Sequence, residues 1–285
     1  MNEKWIDVSA HNGSINWPQV KASGVAGAII RAGYGDSAGQ QDTRFAANIS
    51  GAAAAGLKVA VYWFSYADSL ADAMKEWAVC RQIIAPYKGK ILFVASDYEY
   101  DSYVYYRKQH GTAPTLALIN GMVNAFLGAA KADGWAAVLY TNNDYRQNIF
   151  SAATLAAWYV WLADYSGGPD VPCAMQQTNS GGTVQGISGS VDMDICFRDF
   201  AVSALDYACD TSGTVSIARG AAYQIAVTAA AAPKVVAGTA DVVTVLPRNN
   251  SGNQWFYYLV PIGKSGDQVG VYINGGPRQL TVNIK

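Results

Sequence analysis

The 285-residue sequence predicts an α/β fold: an irregular (β/α) barrel followed by a small all-β sandwich at the C-terminal end. Up to about residue 208, short apolar segments alternate with turns and helix-like segments, which is typical of a parallel sheet covered by helices. After Asp210 the helical period is lost, and Gly, Asn and Pro separate short alternating β-type segments. We therefore place a boundary near Cys209–Ser212, between a barrel domain, 1–208, and a sandwich domain, 212–285.

Eight segments of the first domain have the composition of buried strands. They are Trp5–Ala10, Gly27–Tyr34, Lys58–Tyr66, Ile91–Glu99, Ala136–Thr141, Trp158–Tyr165, Cys173–Thr178 and Ile187–Ile195. Eight strands are the number that closes a (β/α) barrel.

Three segments rich in Ala and Leu are spaced like amphipathic helices, with Gly or Pro near their ends: Asp42–Ala55, Ser69–Ala85 and Pro114–Ala132. The later connections Ser166–Pro172 and Asn179–Gly186 are Gly-rich and too short for full helices. We therefore expect the barrel to lack some of its outer helices.

The second domain is predicted to contain six strands that form an antiparallel sandwich. They are Val215–Ala218, Tyr223–Thr228, Val242–Leu246, Trp255–Val260, Val269–Ile273 and Leu280–Ile284. Residues 211–285 hold six Lys or Arg and two Asp or Glu, a net charge of +4, whereas residues 1–210 carry a net charge of −5. A cationic module is attracted to polyanionic surfaces such as a bacterial wall, but scattered solubilising charge and self-association through open sheet edges are alternatives.

Composition excludes several other classes of function. The formal net charge of −1 does not favour nucleic-acid binding, and the only two His residues, His11 and His110, are far apart, so we expect no metal or other cofactor. No segment approaches the roughly 20 apolar residues that span a bilayer, and the N-terminal MNEKWIDVSA lacks the pattern of a signal peptide. Four cysteines without C-x-x-C spacing are expected to be buried free thiols.

The stretch FVASDYEYD, Phe93–Asp101, ends a predicted strand with acidic residues. Alternate residues of a strand share a face, so Asp97 and Glu99 point the same way at the C-terminal end, where barrel enzymes gather their catalytic groups. Cleavage of a glycosidic bond needs such a pair, since one carboxyl must stay protonated beside a second negative group. Two solvated acids at a strand end are the alternative.

Further acids lie on the first and last predicted strands. Asp7 is on the first, and Asp192 and Asp194 share one face of the last. These strands are neighbours in a closed barrel, so the acids are expected to converge with Asp97 and Glu99.

Several motifs now resemble those of a known family. The segments are Asp7–Trp17 (DVSAHNGSINW), Val25–Gly35 (VAGAIIRAGYG), Val61–Tyr66 (VYWFSY), Asp97–Glu99 (DYE), Trp161–Tyr165 (WLADY) and Gln176–Asp192. In this order they resemble the family 25 glycoside hydrolases, the Chalaropsis-type lysozymes that include many phage endolysins. The resemblance spans about residues 5–198.

The resemblance implies an N-acetylmuramidase that cleaves the β-1,4 bond between N-acetylmuramic acid and N-acetylglucosamine in bacterial peptidoglycan. On that pattern Glu99 is the proton donor, and Asp7, Asp97 and Asp192 are the supporting acids. With no signal peptide, the protein is expected to be made in the host cytoplasm and to act on the wall after release, as a phage endolysin does. Asp194 stands where the family often has Asn, so it either raises a neighbour's pKa or faces solvent.

Aromatic residues on the predicted strands are candidate substrate contacts, because rings stack on sugar faces and phenols bind acetamides. The substrate-binding set is Tyr62, Tyr66, Tyr140, Trp161, Tyr165 and Gln176, the last from the closing motif. The segment Tyr103–Arg107 is predicted to be a loop, either a platform for glycan or ordinary packing.

Two alternative functions remain at this stage. One is a wall-binding barrel that has lost catalysis, against which the four acids Asp7, Asp97, Glu99 and Asp192 argue. The other is a different barrel glycosidase such as a chitinase, whose D-x-x-D-x-D-x-E cluster is incomplete here because FVASDYE lacks the first two acids.

Overall fold

The structure, a computed structural model, describes residues 2–201, 207–229, 231–239, 241–274 and 278–285. Residues 202–206 at the end of the predicted barrel domain lie outside the described part. The chain divides into two compact units, one from the described residues of Met1–Ile84 and Lys90–Ser203, the other from those of Ala85–Gly89 and Ala204–Lys285.

Eight strands of the first unit form a closed barrel in chain order. They are β1 (Glu3–Val8), β2 (Gly27–Tyr34), β3 (Lys58–Phe64), β4 (Ile91–Asp97), β5 (Ala137–Asn142), β6 (Tyr159–Ala163), β7 (Met175–Gly182) and β8 (Val191–Cys196). The mixed α/β fold with a closed eight-stranded barrel is therefore confirmed, and every predicted strand of the first domain has its counterpart.

The direction of the last strand departs from the all-parallel expectation. Strands β1 to β7 pair in parallel, but β8 is antiparallel to both of its neighbours, β7 and β1. The connection between β7 and β8 spans only residues 183–190, too few for the crossover that a parallel pair requires. The beginning of β8 therefore lies at the barrel end where β1 to β7 finish.

Seven α-helices are described around the barrel strands. They are α1 (Trp17–Ala22), α2 (Phe45–Ala54), α3 (Leu70–Ile84), α4 (Tyr100–His110), α5 (Leu116–Ala132), α6 (Asn143–Asn148) and α7 (Ala152–Ala157). The three predicted helices correspond to α2, α3 and α5, and no helix is described in residues 164–174 or 183–190, as expected.

The prediction of a loop at Tyr103–Arg107 is wrong, because these residues lie within α4. The helix ends at Gly111, whose φ of 70° is left-handed, and basic residues occupy its last turn. Five of the first seven residues of α4 are aromatic or β-branched, and they show no clear 3.6-residue period. The sequence pattern therefore does not reveal the helix.

Large side chains fill the barrel interior. A hydrophobic cluster contains Trp5, Phe93, Trp161 and Met175, one from each of four strands, and all four are almost fully buried. The stacked rings of Trp5 and Phe93 have centroids 6.3 Å apart. Apolar side chains thus fill the barrel below its C-terminal end.

The second unit consists of two four-stranded sheets. Its strands are β9 (Tyr207–Cys209), β10 (Gly213–Ile217), β11 (Tyr223–Ala229), β12 (Val235–Ala237), β13 (Val243–Pro247), β14 (Gln254–Pro261), β15 (Gln268–Ile273) and β16 (Arg278–Ile284). The sheet orders are β10-β16-β15-β12 and β13-β14-β11-β9, and buried side chains of both sheets form one hydrophobic cluster. The short strands β9 and β12 were not predicted, and β10 pairs with β16 in parallel.

All four cysteines are free, as predicted, but only Cys80 and Cys196 are buried, while Cys173 and Cys209 are half-buried. Within the described part of the chain, no helix is both long and apolar enough to cross a membrane.

Candidate active site

Acidic side chains from three strands project into the C-terminal opening of the barrel. They are Asp7 on β1, Asp97 at the end of β4, Glu99 just beyond β4, and Asp192 and Asp194 on β8. Asp7 lies two residues after the core residue Trp5, and Asp97 two after the core residue Ala95, so strand alternation directs both into the barrel.

The reversed direction of β8 brings its acids to the same place. Asp192 is paired with Asp7 across the β1–β8 ladder, and Asp194 is paired with Trp5. Asp194 in turn lies two residues from the core residue Cys196. A parallel β8 would have placed Asp192, the second residue of the strand, at the far end of the barrel.

The carboxyls of Asp97 and Glu99 are hydrogen-bonded to each other. Burial is the main cause that raises the pKa of both, and the neighbouring Glu99 charge raises that of Asp97 further. Charges of Asp101 and Asp192 add to the rise at Glu99, while Arg31 opposes the rise at Asp97. The pair therefore retains a proton more readily than isolated carboxyls do.

Glu99 is held at the beginning of α4. Its backbone is extended, with φ −128° and ψ −167°, and its N–H donates to Ser102 Oγ at 3.1 Å. The side chain is half-buried, whereas Asp97 is only 5% exposed. Of the two acids, Glu99 is thus the one that an entering substrate can reach.

The second group of acids surrounds Asp7. Burial raises the pKa of Asp7 well above its usual range, and the charges of Asp194 and Asp192 raise it further. Burial likewise raises the pKa of Asp194 to about 8 and raises that of Asp192. Asp194 is 1% exposed, so the alternative that it faces solvent is wrong, and it does raise its neighbour's pKa.

Gln177 connects this group to two tyrosines. Its Nε2 donates to Asp7 Oδ2 at 2.8 Å, and its Oε1 accepts from Tyr165 Oη at 2.8 Å and from Tyr140 Oη at 3.1 Å. This residue was not predicted from the sequence. The available signal was the alternation of β7, because Gln177 lies two positions after the core residue Met175.

Gln176, which was predicted to bind substrate, does not join the site. Its side chain is 1% exposed and points away from the opening, where Nε2 donates to the carbonyls of Asp164 at 2.6 Å and Gly167 at 2.7 Å. The adjacent position on a strand faces the opposite side of the sheet, so the motif match identified the wrong one of two neighbouring glutamines.

Trp161 and Tyr140 lie beneath the acids. The ring of Trp161 packs against Tyr140 with centroids 4.6 Å apart and against Tyr62 at 6.2 Å, and its Nε1 donates to Asp194 Oδ1 at 2.8 Å. Trp161 is 2% exposed, so its ring faces are not available to stack on a sugar. The predicted direct contact between Trp161 and substrate is corrected to support of Asp194.

Three predicted aromatic residues reach the opening itself. Tyr62 is half-buried. Burial is the main cause that raises its pKa, and the charges of Asp7 and Asp97 raise it further. Tyr165 is 55% exposed although its hydroxyl is held by Gln177. Tyr66 is half-buried and lies against Tyr34, Phe64 and Tyr105, with ring centroids 6.1, 5.1 and 5.0 Å from its own.

Arg31 is a second residue that the sequence analysis missed. It lies on β2, two positions after the core residue Ile29. Its positive charge lowers the pKa of Asp97 and of Tyr62, whereas burial and the neighbouring carboxylates raise both. Its Nε contacts Asp42 Oδ2 at 2.8 Å, and the same oxygen accepts from Ala10 N at 2.9 Å. Asp42 therefore fixes both the cation and the loop after β1.

Among the residues that the structure describes, no three His, Cys, Asp or Glu side chains are placed to hold a metal ion. The site instead offers two groups of carboxyls, one reachable glutamate, and a rim of tyrosines.

Comparison with known sequences agrees with this geometry. The sequence model of the family "Glycosyl hydrolases family 25" matches residues 6–182. This chain belongs to glycosyl hydrolases family 25. The match runs from Ile6 within β1 to the end of β7, including Asp7, Asp97 and Glu99, and it confirms the resemblance found in the motifs.

Several solved structures share the fold. The modular autolysin LytC from Streptococcus pneumoniae, solved with a synthetic peptidoglycan ligand, is 24% identical with a TM-score of 0.61, over 69% of this chain and 47% of that one. The bacterial lysozyme from Streptomyces coelicolor is 25% identical with a TM-score of 0.57, over 72% and 94%. The catalytic domain of endolysin ply40 from bacteriophage P40 of Listeria monocytogenes is 20% identical with a TM-score of 0.54, over 69% and 93%.

The shares of each chain that align differ among these structures. The matched region corresponds to about half of the LytC chain but to nearly all of the S. coelicolor lysozyme. No curated protein sequence matches this chain.

Proposed function

We propose that this family 25 protein is an N-acetylmuramidase that hydrolyses the β-1,4 bond between N-acetylmuramic acid and N-acetylglucosamine in bacterial peptidoglycan. The observation that carries the proposal is the hydrogen-bonded pair of Asp97 and Glu99 at the barrel opening, with both pKa values raised. A glycosidase needs a carboxyl that is still protonated at its working pH beside further acids that support positive charge on the sugar.

In the proposed reaction Glu99 donates its proton to the leaving glycosidic oxygen, because it is the more exposed member of the pair. Its conjugate base then activates a water molecule. Asp97 keeps the proton with the pair until substrate arrives and orients the acetamido group of the sugar. Asp7 and Asp192 are the supporting acids on the opposite side of the opening.

Substrate contacts are assigned to the tyrosines of the rim. Tyr62, Tyr66 and Tyr165 are accessible enough to touch a sugar, and Tyr140 acts through Gln177. Trp161 is assigned to positioning of Asp194.

The domain assignment follows from this function. Residues 1–208 form the catalytic domain as an irregular (β/α) barrel, and residues 212–285 form a β-sandwich that binds anionic wall polymers. All six basic residues of the second part are exposed, which supports an electrostatic contact; they are Arg219, Lys234, Arg248, Lys264, Arg278 and Lys285. The similarity to solved endolysins supports a lytic role against the wall of a bacterial host.

Mass spectrometry of a peptidoglycan digest tests the proposal. We expect products with muramic acid at the new reducing end, and glucosamine at that end would instead indicate a glucosaminidase. Glu99→Gln is expected to retain the fold and to lower turnover about 10²–10⁴-fold, the usual contribution of general acid catalysis.

Asp199→Asn is a matched control, because this carboxylate is 76% exposed and lies after β8, outside the site. It is expected to leave turnover unchanged. Folded native protein that clears no bacterial wall would favour a binding protein without catalysis.

A further inference from the structure

Asp194 is an acid at a position where strand geometry makes it a neighbour of Asp7. The two lie on adjacent antiparallel strands, and Asp7 pairs with Asp192 while Trp5 pairs with Asp194, so Asp7 and Asp194 are diagonal neighbours on the inner face. Both are almost fully buried, at 6% and 1% exposure. Their carboxyls are hydrogen-bonded to each other.

The hydrogen-bond donors around this pair are too few for two negative charges. Trp161 Nε1 donates to Asp194 Oδ1, and Gln177 Nε2 donates to Asp7 Oδ2. Asp194 Oδ2 is buried and receives no hydrogen bond from an amide, hydroxyl or basic group among the described residues. Two buried carboxylates in contact would each need several donors or a cation, so one proton between them is the state that the geometry satisfies.

Gln177 presents its amide nitrogen to Asp7. Its Oε1 accepts from the hydroxyls of Tyr140 and Tyr165, and its Nε2 donates to Asp7 Oδ2. In this orientation the amide accepts no proton from Asp7, so the partner of a protonated Asp7 is another carboxyl. Asp194 and Asp192 are both hydrogen-bonded to Asp7, but Asp192 is half-buried, whereas Asp194 is almost fully buried and has the greater need of a proton.

The remaining charged or titratable groups nearby do not supply a compensating cation. Asp192 lies on the same strand and adds negative charge to both acids. Tyr62 on β3 is influenced by Asp7, and Cys196 at the end of β8 by Asp194. Arg31 contacts Asp42 through Nε, and its charge acts on Asp97 and Tyr62.

We propose that Asp7 and Asp194 hold a single proton between them, and that Asp194 is thereby a positioning residue that fixes Asp7 in the barrel opening. An Asn at this position would donate to an ionised Asp7 and would need no proton. This chain uses a carboxyl instead, so the pair is intact only while the proton is bound. The role assigned to Asp194 rests on the proposed function, but the presence of the proton does not.

Infrared spectroscopy of the full chain tests the shared proton without substrate. A protonated buried carboxyl gives a C=O stretching band that an ionised carboxylate lacks. At neutral pH we expect Asp194→Asn to lose the intensity of one such carboxyl and Asp7→Asn to lose the same intensity. The double variant is expected to lose no more than either single variant.

Each other result would overturn the proposal. No loss in either single variant would mean that both acids are ionised, and a doubled loss in the double variant would mean that each holds its own proton. The exposed Asp199→Asn serves as a control that loses no intensity. If neither variant folds, the pH titration of the band is made in a Glu76→Gln, Asp97→Asn and Glu99→Gln background, because these three acids also have raised pKa values. The band must still fall by one carboxyl there, and a band that does not change with pH would overturn the proposal.

A pH profile separates positioning from simple packing. The native opening is expected to lose affinity for a peptidoglycan fragment as this proton is lost, whereas the Asp194→Asn variant keeps it. Both are measured in a Glu99→Gln background, which removes the titration of Glu99 itself. Identical profiles would refute the positioning role, while absence of muramidase products from the native chain would refute only the proposed function.

Discussion

At the scale of single residues, two adjacent glutamines of β7 have opposite tasks. Gln177 faces the opening and holds Asp7, Tyr140 and Tyr165, while Gln176 faces outward and holds the carbonyls of the loop after β6. Substitution of each one is therefore expected to give a different loss.

We expect Gln177→Ala to lower turnover by about 10²-fold, because misplacement of a catalytic group by 1 Å has an effect of that order. It is also expected to cost stability, because the buried Asp7 carboxyl and Tyr140 hydroxyl each lose a hydrogen bond. Gln176→Ala is expected to cost roughly 1–3 kcal/mol of unfolding free energy, because the buried carbonyl of Asp164 and the partly buried carbonyl of Gly167 lose their donor. Turnover assays and denaturant unfolding of both variants check this. Equal effects of the two variants on turnover would contradict it.

Sequence reasoning recovered the acids of the site but not their partners. Asp7, Asp97, Glu99 and Asp192 were recognisable because buried apolar strands seldom end in acids and because the motif order is specific. Gln177 and Arg31 were not, since an isolated Gln or Arg on a strand carries no signal of its own. Which neighbour they bind depends on closure of the barrel, which no local pattern encodes.

Glu76 shows how a buried acid outside the site supports it. The side chain is 0% exposed on α3, where Oε2 accepts from Ser65 Oγ and Oε1 from the N–H of Tyr66, both at 2.7 Å. It thus ties α3 to the segment after β3 that presents Tyr66. Burial raises its pKa to about 8, against the effect of these two hydrogen bonds.

The raised pKa of Glu76 has a consequence for stability. The folded state keeps a proton that the unfolded state releases near the usual glutamate pKa of 4.5, so this stabilisation is complete below that pH and is lost as the pH rises through about 8. In the native protein the unfolding free energy is expected to fall with pH over this range. In Glu76→Gln it is expected to fall less steeply, by up to about 1.4 kcal/mol per pH unit. Denaturant unfolding at several pH values measures the slope, and equal slopes for both proteins would contradict the assignment.

At the scale of secondary-structure elements, two helical glycines offer a direct comparison. Gly51 lies within α2, where an added Cβ would lie 2.3 Å from Trp17 Cδ1, and Trp17 is buried. Gly128 lies within α5, where an added Cβ would meet nothing within 4 Å. The same substitution thus meets a closed contact in one helix and open space in the other.

We expect Gly128→Ala to stabilise the protein by about 1 kcal/mol, the usual difference in helix propensity. Gly51→Ala is expected to destabilise it, because overpacking of about 1–3 kcal/mol exceeds that gain. Thermal and denaturant unfolding of the two variants check the opposite signs. Stabilisation by both would show that Trp17 moves aside without cost.

The elements that sequence reasoning found are those with a strong period. The barrel strands β1 to β7 and the helices α2, α3 and α5 were predicted within a few residues of their ends. The direction of β8 was not predicted, because side-chain alternation is the same for both strand directions. The helix α4 was not predicted, because its aromatic residues show no hydrophobic period. The short strands β9 and β12, three residues each, are below the length at which alternation can be recognised.

At the scale of the whole molecule, charge is divided between the two parts of the chain. Residues 211–285 have a net charge of +4 and residues 1–210 a net charge of −5. The proposed wall contact of the second part is electrostatic, so it must weaken as salt screens exposed charges.

We expect the full-length Glu99→Gln protein to bind bacterial walls in pull-down assays and to be released as salt is raised from 0.05 to 0.5 M, values chosen to bracket a Debye length of about 10 Å. Neutralisation of Arg219, Lys264 and Lys285 is expected to weaken binding at low salt, while neutralisation of Lys21, Lys75 and Lys108 in the first unit is the matched control. Binding that is indifferent to salt would instead point to aromatic recognition, for example by the exposed Tyr223.

The hairpin of β7 and β8 makes the chemistry of the opening sensitive to a slip of a single residue. In β8 the sequence Val191-Asp-Met-Asp-Ile195 alternates, with Asp192 and Asp194 inward and Met193 between them. Deletion of one residue inside this strand would invert every side chain that follows, and a thioether would replace a carboxyl beside Asp7. Deletion of two residues would keep each following side chain on its original face of the sheet. Whether this hairpin tolerates an insertion or deletion therefore depends more on whether the number of residues is even or odd than on the length of the loop.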